Sequence, residues 1–154
     1  MSKVIVPKNY KAVLTPYDTQ RAIMLIHGIF EKNLCSELDL SRVSAPLLLR
    51  TASGLNDNLT GKERPVSFDI RETGEECQIV QSLAKWKRHA LKYYEFRVGK
   101  GLYTDMNAIR RDEELDNLHS VYVDQWDWEK VIRESDRNID YLKKIVQKIV
   151  NAIC

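Results

Sequence analysis

Two polar side chains able to recognise an amino acid stand two residues apart in a segment predicted to be a strand. In this segment, Val121 to Trp128, one face carries Gln125 and Asp127 and the other carries Trp126 and Trp128, because alternate side chains of a strand point to opposite faces. An amide beside a carboxylate suits a small polar ligand. The pattern also fits a solvent-exposed polar face with the tryptophans in the core, and the residues alone leave both interpretations open.

A basic cluster follows Ser82 in a segment predicted to be a helix, SLAKWKRHALK. It could form a site for a carboxylate or phosphate near the N-terminus of a helix, or a nucleic-acid patch. The alternative is the solvated face of an amphipathic helix whose Trp86 turns into the core. The cluster consists of Lys85, Lys87, Arg88, His89 and Lys92.

Three further polar residues have a functional and a plain interpretation. Arg110 follows an apolar strand, where its guanidinium could bind a phosphate or carboxylate or could form a surface salt bridge. Asp57 and Asn58 could contact a ligand or could shape a turn. The chain contains no P-loop, dinucleotide fingerprint, nucleophile elbow or zinc-protease motif. These patterns indicate an α+β domain with a polar ligand site and no more.

The elements before Ser82 must position these residues. Apolar residues at helical spacing predict a helix capped by Asp18 and Thr19 and running to about Glu37. An apolar run over residues 42–50 predicts a buried strand with Pro46 at an edge or an irregular start. Residues 51–64 read as one long polar loop, which in an ordered domain favours a functional role. A hairpin is predicted over residues 66–80.

The elements after Ser82 are a helix, a strand pair and a final helix. We expect Ser82 to cap the first helix, with Leu83, Trp86, Ala90, Leu91 and Tyr94 as its buried stripe. Residues 102–110 and 119–128 predict two antiparallel strands joined by a long acidic loop. A last helix is predicted from about residue 135 to the chain end, without a stop signal. We therefore expect α+β architecture, an antiparallel sheet flanked by helices, in a chain that is cut short.

Composition narrows the classes of protein. The length, 154 residues, is that of one domain, and 24 basic against 22 acidic residues predict neither a nucleic-acid nor a membrane partner. No signal peptide or membrane-spanning run is recognisable. The cysteines, Cys35, Cys77 and Cys154, have no metal-site spacing and are expected to be reduced thiols. A cytoplasmic protein is the expectation.

Four long stretches together resemble a known family, the ammonia-dependent asparagine synthetases, or aspartate–ammonia ligases. They are APLLLRTASGLNDNLTG, VQSLAKWKRHAL, GLYTDMNAIRRDEE and LHSVYVDQWDWEKV, in this order and at comparable spacing. On these strings the chain is identified as the N-terminal half of such an enzyme, with residues 1–154 forming the N-terminal portion of its catalytic domain. The resemblance implies the fold of class II aminoacyl-tRNA synthetases, with the first helix and the Pro46 strand at a dimer interface.

The resemblance also implies a reaction in two steps. ATP adenylates the side-chain carboxylate of L-aspartate with release of pyrophosphate, and ammonia then displaces AMP to give L-asparagine. By motif position, Arg110 contacts the α-phosphate, and Arg110 and Lys87 act as the catalytic cations. Substrate recognition falls to Asp57, Ser82, Gln125 and Asp127, and nucleotide binding to Arg110, Leu118, Ser120 and Val123.

Two features depart from the family pattern. Gln81 stands where some relatives have histidine, which leaves any role of an imidazole there in doubt. The residues that bind Mg²⁺ and the arginine of the third motif are expected in a C-terminal half that this chain lacks, so no metal ligand is assigned here. The alternative function is a non-catalytic remnant that binds an amino acid or dimerises.

Overall fold

The first element of the chain is a long helix that packs against one face of a sheet. The computed structural model describes residues 3–154, and α1 spans Pro16–Leu38. The helix begins earlier than the predicted Asp18, because the Thr15 hydroxyl accepts a hydrogen bond from the Asp18 N–H at 3.1 Å. Pro16 is tolerated in the first turn, where no intrahelical donor is needed. The helix ends at Leu38, and the next residue, Asp39, closes the last turn with a left-handed backbone (φ 58°).

The predicted single strand over residues 42–50 is wrong. The structure forms two short strands, β1 (Leu40–Arg42) and β2 (Leu48–Arg50), which belong to two different sheets. Pro46 lies in the irregular segment between them, as expected for a residue that cannot donate to a sheet. Leu48 and Arg50 are exposed, and Leu49 is only partly buried against a core cluster, so the apolar run is not the buried strand that was predicted.

The predicted hairpin and strand pair are both confirmed. Strands β3 (Ser67–Asp69) and β4 (Glu76–Ile79) pair antiparallel, and β2 completes their sheet in the order β2-β4-β3. Strands β5 (Gly101–Ile109) and β6 (Tyr122–Lys130) pair antiparallel over their whole length. Strand β1 adds to β5 in parallel, in the order β1-β5-β6. Strand β6 is thus an edge of this sheet.

The two later helices start after the predicted caps. Helix α2 spans Ala84–Tyr93 with Leu83 at the N-cap position, and the Ser82 hydroxyl accepts from the Ala84 N–H at 3.3 Å. Helix α3 spans Ile139–Ile153, and the side chain of Asn138 caps it. The expected start near residue 135 falls on a separate short 3-10 turn, Glu134–Asp136.

The β5–β6 pair is packed on both faces. On one face α1 and α3 enclose Leu34, Leu38, Tyr103 and Ala152, with Trp126 and Trp128 against them. On the other face, Val80 and Leu83 pack against Met106 and Ala108. The apolar stripe predicted for the last helix is buried only in part: Ile149 packs on the core, whereas the other members are exposed, namely Ile139, Leu142, Val146, Val150 and Ile153. No helix within residues 3–154 is long and apolar enough to cross a membrane.

Candidate active site

A lysine from α2 meets a carboxylate from β6 at the centre of the candidate site. The Lys87 ammonium donates to Asp127 Oδ1 at 2.5 Å and to the carbonyl of Trp128 at 3.1 Å. Its side chain is only 7% exposed while that of Asp127 is 25% exposed, so the cation is largely removed from water and its partner only in part. A buried cation of this kind requires several polar partners. The buried lysine of this helix and the carboxylate of this strand face therefore form an ion pair with each other.

The rest of the basic cluster behaves as a solvated helix face. Lys85, Arg88, His89 and Lys92 are exposed, whereas Trp86 is half-buried and packs between two core clusters. The solvated-face interpretation therefore describes four of the five basic residues, whereas the fifth, Lys87, points inward. Tyr94, predicted in the buried stripe, is 48% exposed because it lies just beyond the last turn of the helix.

The predicted alternation along β6 is confirmed. Asp127 faces Lys87, while Trp126 lies on the opposite side and its indole N–H donates to His27 Nδ1 at 3.1 Å. Gln125, two residues before Asp127 on the same face, is exposed and pairs across the sheet with Met106. An exposed amide therefore adjoins a charge pair on one face, and the tryptophans pack on the other. The tryptophans pack against the core, as the second interpretation expects, and ligand binding on the polar face remains a prediction.

Arg110 lies just beyond the end of β5, beside the chain that enters α2. Its Nε–H donates to the main-chain carbonyl of Gln81 at 3.4 Å, and its Nη1 lies 3.8 Å from Glu113 Oε2. Its side chain is a quarter exposed. Gln81 itself is buried, and its amide nitrogen Nε2 has no hydrogen-bond partner within residues 3–154. A guanidinium held by one carbonyl retains further donors that could contact an anion.

The other predicted residues are placed less closely together. Asp57 is half-buried and follows Asn56, whose side chain is bonded to the Gln81 N–H at 3.0 Å. Leu118 and Ser120 are exposed in the connection between β5 and β6, where the Leu118 N–H donates to Asp116. Val123 packs against the apolar cluster beside α2. The structure thus groups Lys87, Asp127 and Gln125 on one sheet face and links Asn56, the residue before Asp57, to Arg110 through the main chain of residue 81.

Two site residues escaped the sequence analysis. Glu129 Oε2 lies 3.8 Å from the Lys87 ammonium, and Asn56 is buried between the long loop and the end of β4. Glu129 could have been found by continuing the alternation of β6 one step beyond Asp127. Asn56 carried no periodic signal, since it lies in a loop.

A cavity of about 480 Å³ lies apart from this face, between the end of β6 and α3. Its walls include Trp128, Ile132, Leu142 and Ile145. Trp128 and Ile145 pack on the α1–α3 side of the sheet, so this cavity is on the face opposite Lys87. Within residues 3–154, no three His, Cys, Asp or Glu side chains are arranged to hold a metal ion.

Comparison with known proteins decides the family. The sequence model of the family described as aspartate-ammonia ligase matches residues 17–154. The chain belongs to this family. It is 57% identical to the aspartate–ammonia ligase of Clostridium perfringens (strain SM101) over 150 residues, which are 97% of this chain and 45% of the relative. The enzyme of the same name from Lactobacillus acidophilus is 56% identical over 98% of this chain and 45% of its own length. The chain spans less than half the length of these relatives.

Solved structures confirm the expected fold. The pyrrolysyl-tRNA synthetase of Desulfitobacterium hafniense superposes with a TM-score of 0.61 at 12% identity, over 86% of this chain and 46% of that one. A histidyl-tRNA synthetase from a Nostoc species gives a TM-score of 0.60 at 13% identity, over 96% and 34% of the two chains. The family member therefore has the α+β fold of class II aminoacyl-tRNA synthetases, as the resemblance implied.

Proposed function

We propose that this chain forms part of an enzyme that uses ATP to ligate ammonia to L-aspartate. The observation that carries the proposal is the 57% identity to an aspartate–ammonia ligase across 97% of the chain. In the proposed reaction, a side-chain carboxylate oxygen of aspartate attacks the α-phosphorus of ATP and pyrophosphate leaves. Ammonia then attacks the carbonyl carbon of the β-aspartyl-adenylate, loses a proton, and displaces AMP. The product is L-asparagine.

The charges of the site support this chemistry. Two anions, aspartate and ATP, must approach each other, so fixed cations have to offset their repulsion and the charge that develops at the α-phosphate. We assign the α-phosphate contact to Arg110, which has donors beyond the one bonded to Gln81. Lys87, already desolvated against Asp127, is assigned the second cationic role.

The remaining assignments concern recognition. We assign recognition of the aspartate substrate to Asp57, Ser82, Gln125 and Asp127. Carboxylates can bind its ammonium group, and the amide can form hydrogen bonds with its other polar groups. Leu118, Ser120 and Val123 are assigned to the nucleotide. Relatives are more than twice as long as this chain, and the proposal places the Mg²⁺ ligands in the part of the relatives that it does not span.

The proposal extends to assembly and location. We propose a homodimer through α1 and the Pro46 segment, in the cytoplasm. Along α1, Met24, Leu25 and Ile29 are each more than half exposed, which gives this helix an apolar outer surface. Such a surface is costly in water and is typical of an interface.

The experiment measures asparagine formed from aspartate, MgATP and ammonia. The chain is assayed alone and after mixing with the separately expressed remainder of the Clostridium perfringens relative. We expect activity only on mixing, and expect Lys87→Met to abolish it while Lys92→Met, an exposed lysine of the same helix, leaves it within about twofold. Absence of activity in both preparations of a folded chain would refute the ligase proposal. Calorimetric binding of aspartate without turnover would then indicate a non-catalytic remnant.

A further inference from the structure

Asn56 is buried in the long polar loop, and its side-chain amide both donates and accepts hydrogen bonds. Its Nδ2 donates to Gln78 Oε1 at 3.1 Å and to the Ile79 carbonyl at 3.2 Å. Its Oδ1 accepts from the Gln81 N–H at 3.0 Å. The residue is only 8% exposed. One neutral side chain therefore joins the loop to the last residues of β4 and to the segment that leads into α2.

The bond to Gln81 continues to the arginine of the site. The N–H of Gln81 is held by Asn56, and the carbonyl of the same residue accepts from Arg110 Nε at 3.4 Å. Close by, the Ile109 N–H donates to the Val80 carbonyl at 3.1 Å, which fixes the end of β5 against this segment. A change in the position of residue 81 therefore moves the acceptor that orients the Arg110 guanidinium.

Asn56 also determines where the next residue lies. Asp57 is half-buried directly after this anchor, while the rest of the loop up to Thr60 is exposed. A loop is mobile where its backbone lacks buried contacts, and a single buried amide with several hydrogen bonds removes that freedom locally. Asp57 thus obtains a defined position from the side chain before it.

We infer that Asn56 is a positioning residue of the proposed ligase site: its side-chain amide places Asp57 and, through the main chain of Gln81, the guanidinium of Arg110. The inference rests on the proposed function for the identity of the ligands, aspartate and ATP. A purely structural anchor would stabilise the loop without setting the affinity for aspartate. The two roles therefore differ in what their removal does to KM.

The test compares Asn56→Ala and Asn56→Asp with Lys62→Ala. Lys62 is an exposed residue of the same loop to which no ligand contact is assigned. The first measurement is NMR of the isolated chain, which follows exchange of the Gln81 amide proton and the Arg110 Nε–Hε resonance. The second is the KM for aspartate and the kcat after mixing with the remainder of the Clostridium perfringens relative.

We expect Asn56→Ala to speed exchange of the Gln81 amide about tenfold, to shift the Arg110 resonance, and to raise the KM for aspartate about tenfold with a smaller loss of kcat. Asn56→Asp keeps the acceptor for Gln81 but places a carboxylate oxygen against the Ile79 carbonyl. It should therefore preserve slow exchange at Gln81 better than alanine does. Lys62→Ala should leave all of these values within about twofold.

Three results would overturn the inference. One is an unchanged Arg110 resonance and KM in both Asn56 variants, which would leave Asn56 as a loop anchor only. Another is failure of both variants to fold, which would make the residue a requirement for folding. The third is an equal effect of Lys62→Ala. If the wild-type mixture shows no turnover, the proposed function fails, and the NMR measurement still decides whether Asn56 positions Arg110.

Discussion

Two ion pairs with the same closest distance differ in how far water reaches them. Lys87 Nζ lies 2.5 Å from Asp127 Oδ1, and Arg64 Nη2 lies 2.5 Å from Asp112 Oδ1. The lysine side chain is 7% exposed and the arginine side chain 68%. The attraction between two charges is screened by water at the surface and much less so in the interior. Distance alone therefore does not rank these pairs, whereas burial does.

The two pairs also connect different parts of the molecule. Lys87 and Asp127 join α2 to β6 within the packed sheet. Arg64 donates from its main chain and from two side-chain nitrogens to the Asp112 carboxylate, which joins the loop over residues 51–64 to the connection between β5 and β6. The buried pair is part of the core, and the exposed pair fastens two polar loops that carry predicted ligand contacts.

The largest effect is expected from removing the buried cation. Lys87→Met leaves Asp127 and Glu129 without their shared partner on a partly buried face, and should destabilise the fold by about 3 kcal/mol. Urea denaturation followed by circular dichroism measures this loss. Lys92→Met, in the exposed last turn of α2, serves as the matched control. A loss no larger than that of the control would show that burial does not distinguish the two pairs.

A smaller loss is expected when both buried charges are removed. Lys87→Met combined with Asp127→Leu takes away the unpaired carboxylate as well as the cation, so the double variant should be more stable than Lys87→Met alone. The same urea titrations provide the comparison. A double variant as unstable as the sum of the two single variants would mean that the residues act independently.

Less change still is expected at the exposed pair. Arg64→Met should shift the midpoint of thermal unfolding far less than Lys87→Met, because water already screens the pair. Raising the salt concentration to about 1 M reduces the screening length to about 3 Å and should reduce the remaining difference between wild type and Arg64→Met. A salt-independent difference would place the Arg64 side chain in a packing role.

The smallest effect concerns the titration of one carboxylate. Hydrogen bonds from Arg64 hold the pKa of Asp112 below its ordinary value of 3.8. A lowered pKa means that the pair stabilises the folded state above pH 3.8, and that this contribution is lost as the pH falls from there through the lowered pKa. Carboxyl NMR should show the pKa of Asp112 rising towards 3.8 in Arg64→Met. An unchanged pKa would assign the shift to the main-chain N–H of residue 64.

Local pattern predicted the elements well where polar and aromatic side chains alternate. The alternation of residues 121–128 placed Asp127 and Trp126 on opposite faces, because successive side chains of a strand point to opposite faces of the sheet. The apolar run at residues 42–50 led to a wrong prediction of one buried strand. It is divided between two sheets, and no local pattern records which partner strand each part will meet. The stripe of α3 predicted a helix correctly, but most of it is exposed.

The family resemblance, and not periodicity, named the site residues. Periodicity left Lys87 among five basic residues of one helix, and only the packing of α2 against β6 singled it out as the buried one. All of the assigned roles remain predictions, namely those of Asp57, Ser82, Lys87, Arg110, Leu118, Ser120, Val123, Gln125 and Asp127. Asn56 and Glu129 became visible only through their contacts.

By itself the sequence determined the kinds of element, the faces of β6, the fold class and the family, because these follow from side-chain spacing and from long identical strings. Only the tertiary structure decided which cation of α2 is buried, which strands share a sheet, and which loop residue is hydrogen-bonded to the segment that Arg110 contacts. Those outcomes depend on groups far apart along the chain, such as Lys87 with Asp127 and Asn56 with Gln81. Their proximity is set when the helices and the sheet pack together and exclude water from the charges and amides between them.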